Sequence, residues 1–120
     1  IRSRRGITQS SSVNLLLGDG RSLLAVRFTF DFGRFERPPF QGGVNFLSLW
    51  YTMGAAYQFA DGEWKMTGGS AGASTLVASE PATRDVATWV EVPEYAALLV
   101  DGAADGSAAS PRRRIAALDI

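Results

Sequence analysis

The chain contains no cysteine and no histidine in 120 residues. The first absence rules out a disulfide framework, a thiol nucleophile and thiolate metal sites. The second removes the commonest general base and the commonest metal ligand, so Ser-His-Asp and Cys-His machinery is excluded too. Net charge is also missing. Twelve Lys and Arg balance twelve Asp and Glu, leaving no global field to attract nucleic acid or an anionic membrane. No apolar run approaches the roughly 20 residues of a membrane-spanning helix. The Gly-rich stretches lack a Gly-Lys-Ser/Thr signature and no helix follows them, so phosphate binding of that type is not expected. Neither a nucleic-acid partner nor membrane insertion is expected.

What remains has the composition of a folded domain, 46% hydrophobic with 13 Gly and 5 Pro. The length predicts a single domain over residues 1–120 with one core. Residues 1–11 read as a basic and polar N-terminal tail, and the small-residue stretch 103–114 as a mobile loop. The zero net charge hides an asymmetry: residues 1–60 hold seven Arg against three acids, and residues 61–120 five bases against nine acids. Strands from the two halves interleaved in one sheet would pair those charges. Lys65 is the only lysine among the twelve bases. That bias, with abundant Ala and Gly, suggests a GC-rich bacterial source.

The segment "LAVRFTFDF" (24–32) alternates strictly. Leu24, Val26, Phe28, Phe30 and Phe32 form one face, read as the buried one; Ala25, Arg27, Thr29 and Asp31 form the other. "SSVNLLL", the turn "GDG" and "RSLLAVRFTFDF" give strand, turn and strand. The loop "GRFERPPFQGG" (33–43) follows, and "VNFLSLWYTM" (44–53) is the next strand, with bulk on both faces. "YQFADGEWKM" is the clearest hairpin. Asp61-Gly62 suits a two-residue primed turn, which pairs Phe59 with Trp64 and Tyr57 with Met66 on one face. Short strands are also predicted at "TLVAS", "VATWVEV" (86–92), "YAALLVDG" (95–102) and "IAALDI" at the end. No helical period is sustained. Eight or nine short strands separated by turn signals predict an all-β antiparallel sandwich.

The succession "VRFTFDF", "VNFLSLWY", the hairpin, then "VATWVEVPEYAALLVDG" resembles concanavalin A-like, laminin-G-like jelly-roll domains over roughly residues 22–102. The resemblance implies a jelly-roll sandwich, trimmed or a fragment, and a tendency to bind glycans outside the cell. It does not imply catalysis. The closely spaced acids of the family's glycosidases and the His, Tyr and Arg of its lyases are not matched here.

Candidate chemistry is sparse. A sugar platform would use Arg27 and Asp31 beside Phe46 and Trp50, provided those side chains face away from the core. The bland reading places Phe46 and Trp50 against a second sheet. Asp101 and Asp105, in Gly-containing turns, are the candidates for a calcium ion, although Asp-Gly is in any case the preferred turn dipeptide. No acid pair is visible for glycoside hydrolysis. The clusters "RSRR" and "PRRR" carry no interleaved aromatics and read as solvated. The expected function is therefore a non-catalytic carbohydrate-binding or adhesion module of a larger extracellular protein. The alternative is an assembly domain contacting neighbouring subunits in a surface or phage-like particle, and third comes a fragment of a polysaccharide-active enzyme.

Overall fold

The computed structural model describes residues 11–30, 48–69, 72–102 and 111–119. Nine strands follow one another in these residues: β1 (Ser11–Gly18), β2 (Ser22–Phe30), β3 (Trp50–Gly54), β4 (Ala56–Ala60), β5 (Glu63–Thr67), β6 (Ser74–Ala78), β7 (Val90–Glu91), β8 (Ala96–Asp101) and β9 (Arg112–Ala117). They form three antiparallel sheets, ordered β1-β2-β8-β9, β6-β3-β7 and β4-β5. The expected all-β antiparallel architecture is present. The tail before Ser11, the loop 33–43, the first residues of the strand expected at 44–53, and residues 103–110 lie outside the described residues.

The first two sheets share a core. Ala25, Ala96, Leu98 and Val100 from the four-stranded sheet meet Leu49 and Val92, with Leu23, Tyr51 and Val77 packed around them. Polar side chains also cross between the layers. Asn14 donates to the Ser48 carbonyl at 2.8 Å, and Arg27 to the Val92 carbonyl at 2.7 Å. Arg113 clamps the far side. Its Nε reaches Thr75 Oγ1 at 2.5 Å, and its Nη2 the carbonyls of Gly72 at 2.8 Å and Ser74 at 3.2 Å.

This core inverts the expected sides of β2. Ala25 and Arg27 point inward and are buried, whereas Leu24, Val26 and Phe28 are only half-buried on the outer face. Alternation establishes that a strand has two faces. Which one is covered depends on where the second layer lies, and here it lies over the smaller residues. Charges from the two halves of the sequence do meet in Arg27 and Glu91 at 2.9 Å, but between two sheets and not within one sheet as expected.

Two further expectations need correction. Residues 86–92 are not one strand: Val86–Thr88 make a 3₁₀ turn, and only Val90–Glu91 pair as a strand. Asp85 causes this, since its carboxylate accepts from the Ala87 N–H at 3.1 Å and Thr88 Oγ1 donates to its carbonyl at 2.8 Å. Such local bonds compete with a ladder. The second correction concerns 103–114, because a strand begins at Arg112 and the Arg113 clamp holds it to the other layer. Within that cluster Arg113 is structural, while Arg112 and Arg114 stay exposed on the strand.

Candidate functional site

The β4–β5 hairpin carries the large aromatics that the core does not use. Asp61 and Gly62 both have positive φ, +54° and +81°, as a type I′ turn requires. The turn fixes the register Ala60↔Glu63, Phe59↔Trp64, Gln58↔Lys65 and Tyr57↔Met66, as its sequence predicts. Tyr57, Phe59, Trp64 and Met66 therefore share one face.

No second layer covers that face among the described residues. Tyr57, Phe59 and Trp64 are 47%, 63% and 56% exposed. They meet through Trp64: Tyr57 and Trp64 stack with centroids 5.7 Å apart and planes 29° apart, and Phe59 meets Trp64 edge-on at 6.1 Å. Such contacts contribute about 0.5–1.5 kcal/mol per pair beyond burial. They also hold the rings as one apolar strip. The hairpin leaves the main layers at a tight crossing, where a Cβ on Gly72 would sit 2.0 Å from the Gly54 backbone carbon. Only glycine permits that approach.

The charged groups of the turn and of the opposite face of the hairpin are already paired. Asp61 Oδ2 accepts from Lys65 Nζ. That bond, reinforced by the lysine charge, holds the Asp61 carboxyl below its ordinary pKa and raises that of Lys65. Glu63 accepts from the Arg84 N–H at 3.2 Å, with the guanidinium 3.9 Å away. A general acid needs the opposite shift, a carboxyl raised in pKa, so Asp61 is poorly suited to that work.

Those residues nominated from sequence that are described lie elsewhere. Arg27 is sealed at 3% exposure, paired with Glu91 at 2.9 Å and with Glu94 at 3.6 Å. It cannot form part of an open platform. Trp50, opposite Glu91 and Ala78 in the ladder, is half-buried, and its Nε1 is buried with no hydrogen-bond partner. The Arg27 Nε and Nη2 atoms are likewise buried without a hydrogen bond. Asp31 and Phe46 lie outside the described residues, as does Asp105. Asp101 sits at the end of β8 opposite Arg112 and Ser22. Among the described residues no group of three or more acids, His or Cys is placed to hold a metal.

Tyr57, Phe59 and Trp64 were not nominated, although their register was legible. The signal was available in the short loops around the hairpin. Two five-residue strands joined by a two-residue turn have only each other to pair with, so one face stays open unless another layer reaches it. No family model, curated protein or solved structure matches the chain. No helix among the described residues is long and apolar enough to cross a membrane.

Proposed function

We propose that the chain is a non-catalytic carbohydrate-binding or adhesion module of an extracellular bacterial protein, related to the concanavalin A-like jelly rolls. Tyr57, Phe59 and Trp64 are its sugar platform, in place of Arg27 and Trp50. One observation carries the reading: three aromatic rings about half exposed on one face of the hairpin, Tyr57 stacked on Trp64 and Phe59 edge-on to it. Exposed apolar patches mark interaction sites, and aromatic rings dominate the energetics of such sites. A pyranose offers a flat C–H face to a ring, which suits a neutral aromatic strip whose charged neighbours Glu63 and Lys65 lie on the opposite face of the hairpin. The non-catalytic part of the reading rests on the pairing of Asp61 and Glu63 with cations.

The test is affinity electrophoresis through gels containing soluble β-glucan, xyloglucan or pectin, together with pull-down on insoluble cellulose and chitin. The wild type is retained by at least one of these. Trp64→Ala weakens retention tenfold or more, about 1.4 kcal/mol, and Tyr57→Ala weakens it less. Absence of retention on every polysaccharide, or retention that survives both substitutions, overturns the reading.

A further inference from the structure

The two outer strands of the four-stranded sheet differ sharply. β9 carries Arg112, Arg113 and Arg114 in succession, and charge is a common device for blocking an edge. β1, SSVNLLLG, has no charged residue and no proline over eight residues. Its Leu15, Leu16 and Leu17 are 46–53% exposed. Long, uncharged, apolar edge strands are pairing templates.

Hydrogen-bond parity shows which groups β1 presents at the edge that no strand among the described residues covers. The Asp19 N–H donates to the Ser22 carbonyl at 3.3 Å, so 19↔22 is a hydrogen-bonded pair. Alternation then makes Leu17↔Leu24 and Leu15↔Val26 hydrogen-bonded pairs of the β1–β2 ladder. The odd residues of β1 turn their backbone groups to β2. The even ones (Ser12, Asn14, Leu16 and Gly18) turn theirs outward, away from β2.

We infer that β1 pairs antiparallel with β1 of a second copy of this chain, about a two-fold axis through Leu15. That register aligns Ser12 with Gly18, Val13 with Leu17 and Asn14 with Leu16. Among the registers in which even residues meet even residues it is the one that pairs all four of them, so the outward N–H and C=O groups find partners. Leu15 faces Leu15 in a non-hydrogen-bonded pair, where side chains come closest. Val13, Leu15 and Leu17 of both copies lie on the outer face beside Phe28, Val26 and Leu24, which extends one apolar surface across the axis. Charge selects this occupant. β1 against β1 opposes no like charges, whereas β9 against β9 would set arginine against arginine. The inference is independent of the glycan reading.

Sedimentation velocity on the full chain tests it. The wild type forms a concentration-dependent dimer. Leu15→Lys and Leu15→Glu, both at a site already exposed in one copy, are each monomeric, with dimerisation weakened tenfold or more; mixed together they restore a dimer. Because the chain has no cysteine, single cysteines report the register. Leu15→Cys cross-links to itself on mild oxidation, the Cα separation of about 4.5 Å being within disulfide range. Leu16→Cys, on the opposite face and opposite Asn14, cross-links at least tenfold more slowly. A wild type that stays monomeric up to about 1 mM, a dimer indifferent to Leu15→Lys, or equal cross-linking at 15 and 16 overturns the inference.

Discussion

The β1-β2-β8-β9 sheet fills its interior side with Ala25, Ala96, Leu98 and an arginine, while the β4–β5 hairpin leaves two six-membered rings and an indole in solvent. Residue hydrophobicity alone would assign these the other way round. The difference lies in what stands opposite each face. The four-stranded sheet has the β6-β3-β7 sheet packed against its inner side, so small side chains and an Arg27 paired by Glu91 fit the space between layers. The hairpin has no facing layer among the described residues, so its apolar side is a surface. An exposed aromatic strip is thus a consequence of topology, and the interior arginine is one as well.

The sharpest way to break this contrast is to strand the Arg27 charge. Glu91 and Glu94 both lie within ion-pair distance of the guanidinium, which is almost fully buried while the two acids are partly exposed. Removing both acids leaves a charge in the interior without its partners, a change that costs about 3–5 kcal/mol. Arg27→Met removes the charge itself and keeps most of the volume, losing chiefly the bond to the Val92 carbonyl, about 1 kcal/mol. Urea denaturation of Glu91→Ala/Glu94→Ala and of Arg27→Met should therefore give clearly unequal losses. Equal losses would mean that solvent reaches Arg27. Trp64→Ala, on the open hairpin, removes two ring contacts of about 0.5–1.5 kcal/mol each, so its loss should stay below that of the double acid variant.

Some of this contrast was legible before any coordinates. The "ADGE" turn set the hairpin register residue for residue, because Asp-Gly at positive φ admits few alternatives. The "GDG" turn makes β1 and β2 legible as strand, turn and strand, while their register comes from the structure. The inward side of β2 was not legible, since Leu24, Val26 and Phe28 outweigh Ala25 and Arg27 in hydrophobicity, and the deciding layer comes from residues far along the chain. Arg27 sits 64 residues from Glu91. The break at Val86–Thr88 was missed for a local reason: "VATWVEV" has strand composition, but the Asp85 side chain captures the Ala87 N–H before a ladder can. The aromatic strip is half-legible: the turn sets its register, whereas its exposure depends on which layers face it.

A smaller effect is expected at the hairpin turn. Gly62 has φ +81°, and an L residue forced into the left-handed region costs roughly 1–2 kcal/mol. Gly62→Ala should loosen the register that sets Trp64 between Tyr57 and Phe59, lowering the near-ultraviolet dichroism of those rings. The interior of the two main layers should be little affected, so hydrogen exchange of Leu98 and Val100 in β8 should stay close to wild type. If β8 exchange accelerates along with β4 and β5, the hairpin and the layered core unfold as one unit and the contrast between them is only geometric.

The smallest effect is a pH dependence in the β1–β2 turn. The Asp19 carboxylate accepts from the Ser22 N–H at 2.7 Å and from the Arg21 N–H at 2.8 Å. The Ser22 bond first, and then the Arg21 bond, hold its pKa below the ordinary value. A carboxyl depressed in the folded state adds stability that is complete above its unfolded pKa, about 3.9, and that fades as pH falls through that value toward the folded one. The stability gap between wild type and Asp19→Ala should then be constant from neutrality down to about pH 5 and should narrow below about pH 4. The same experiment on Asp61→Ala separates two kinds of partner. Asp61 is held down by the Lys65 ammonium, so added salt should shrink its gap, whereas Asp19 is held by backbone N–H groups and should respond less to salt. A gap at Asp19 that stays flat to pH 2 would mean the carboxylate does not carry the turn, and the parity that directs the even residues of β1 outward would lose one of its anchors.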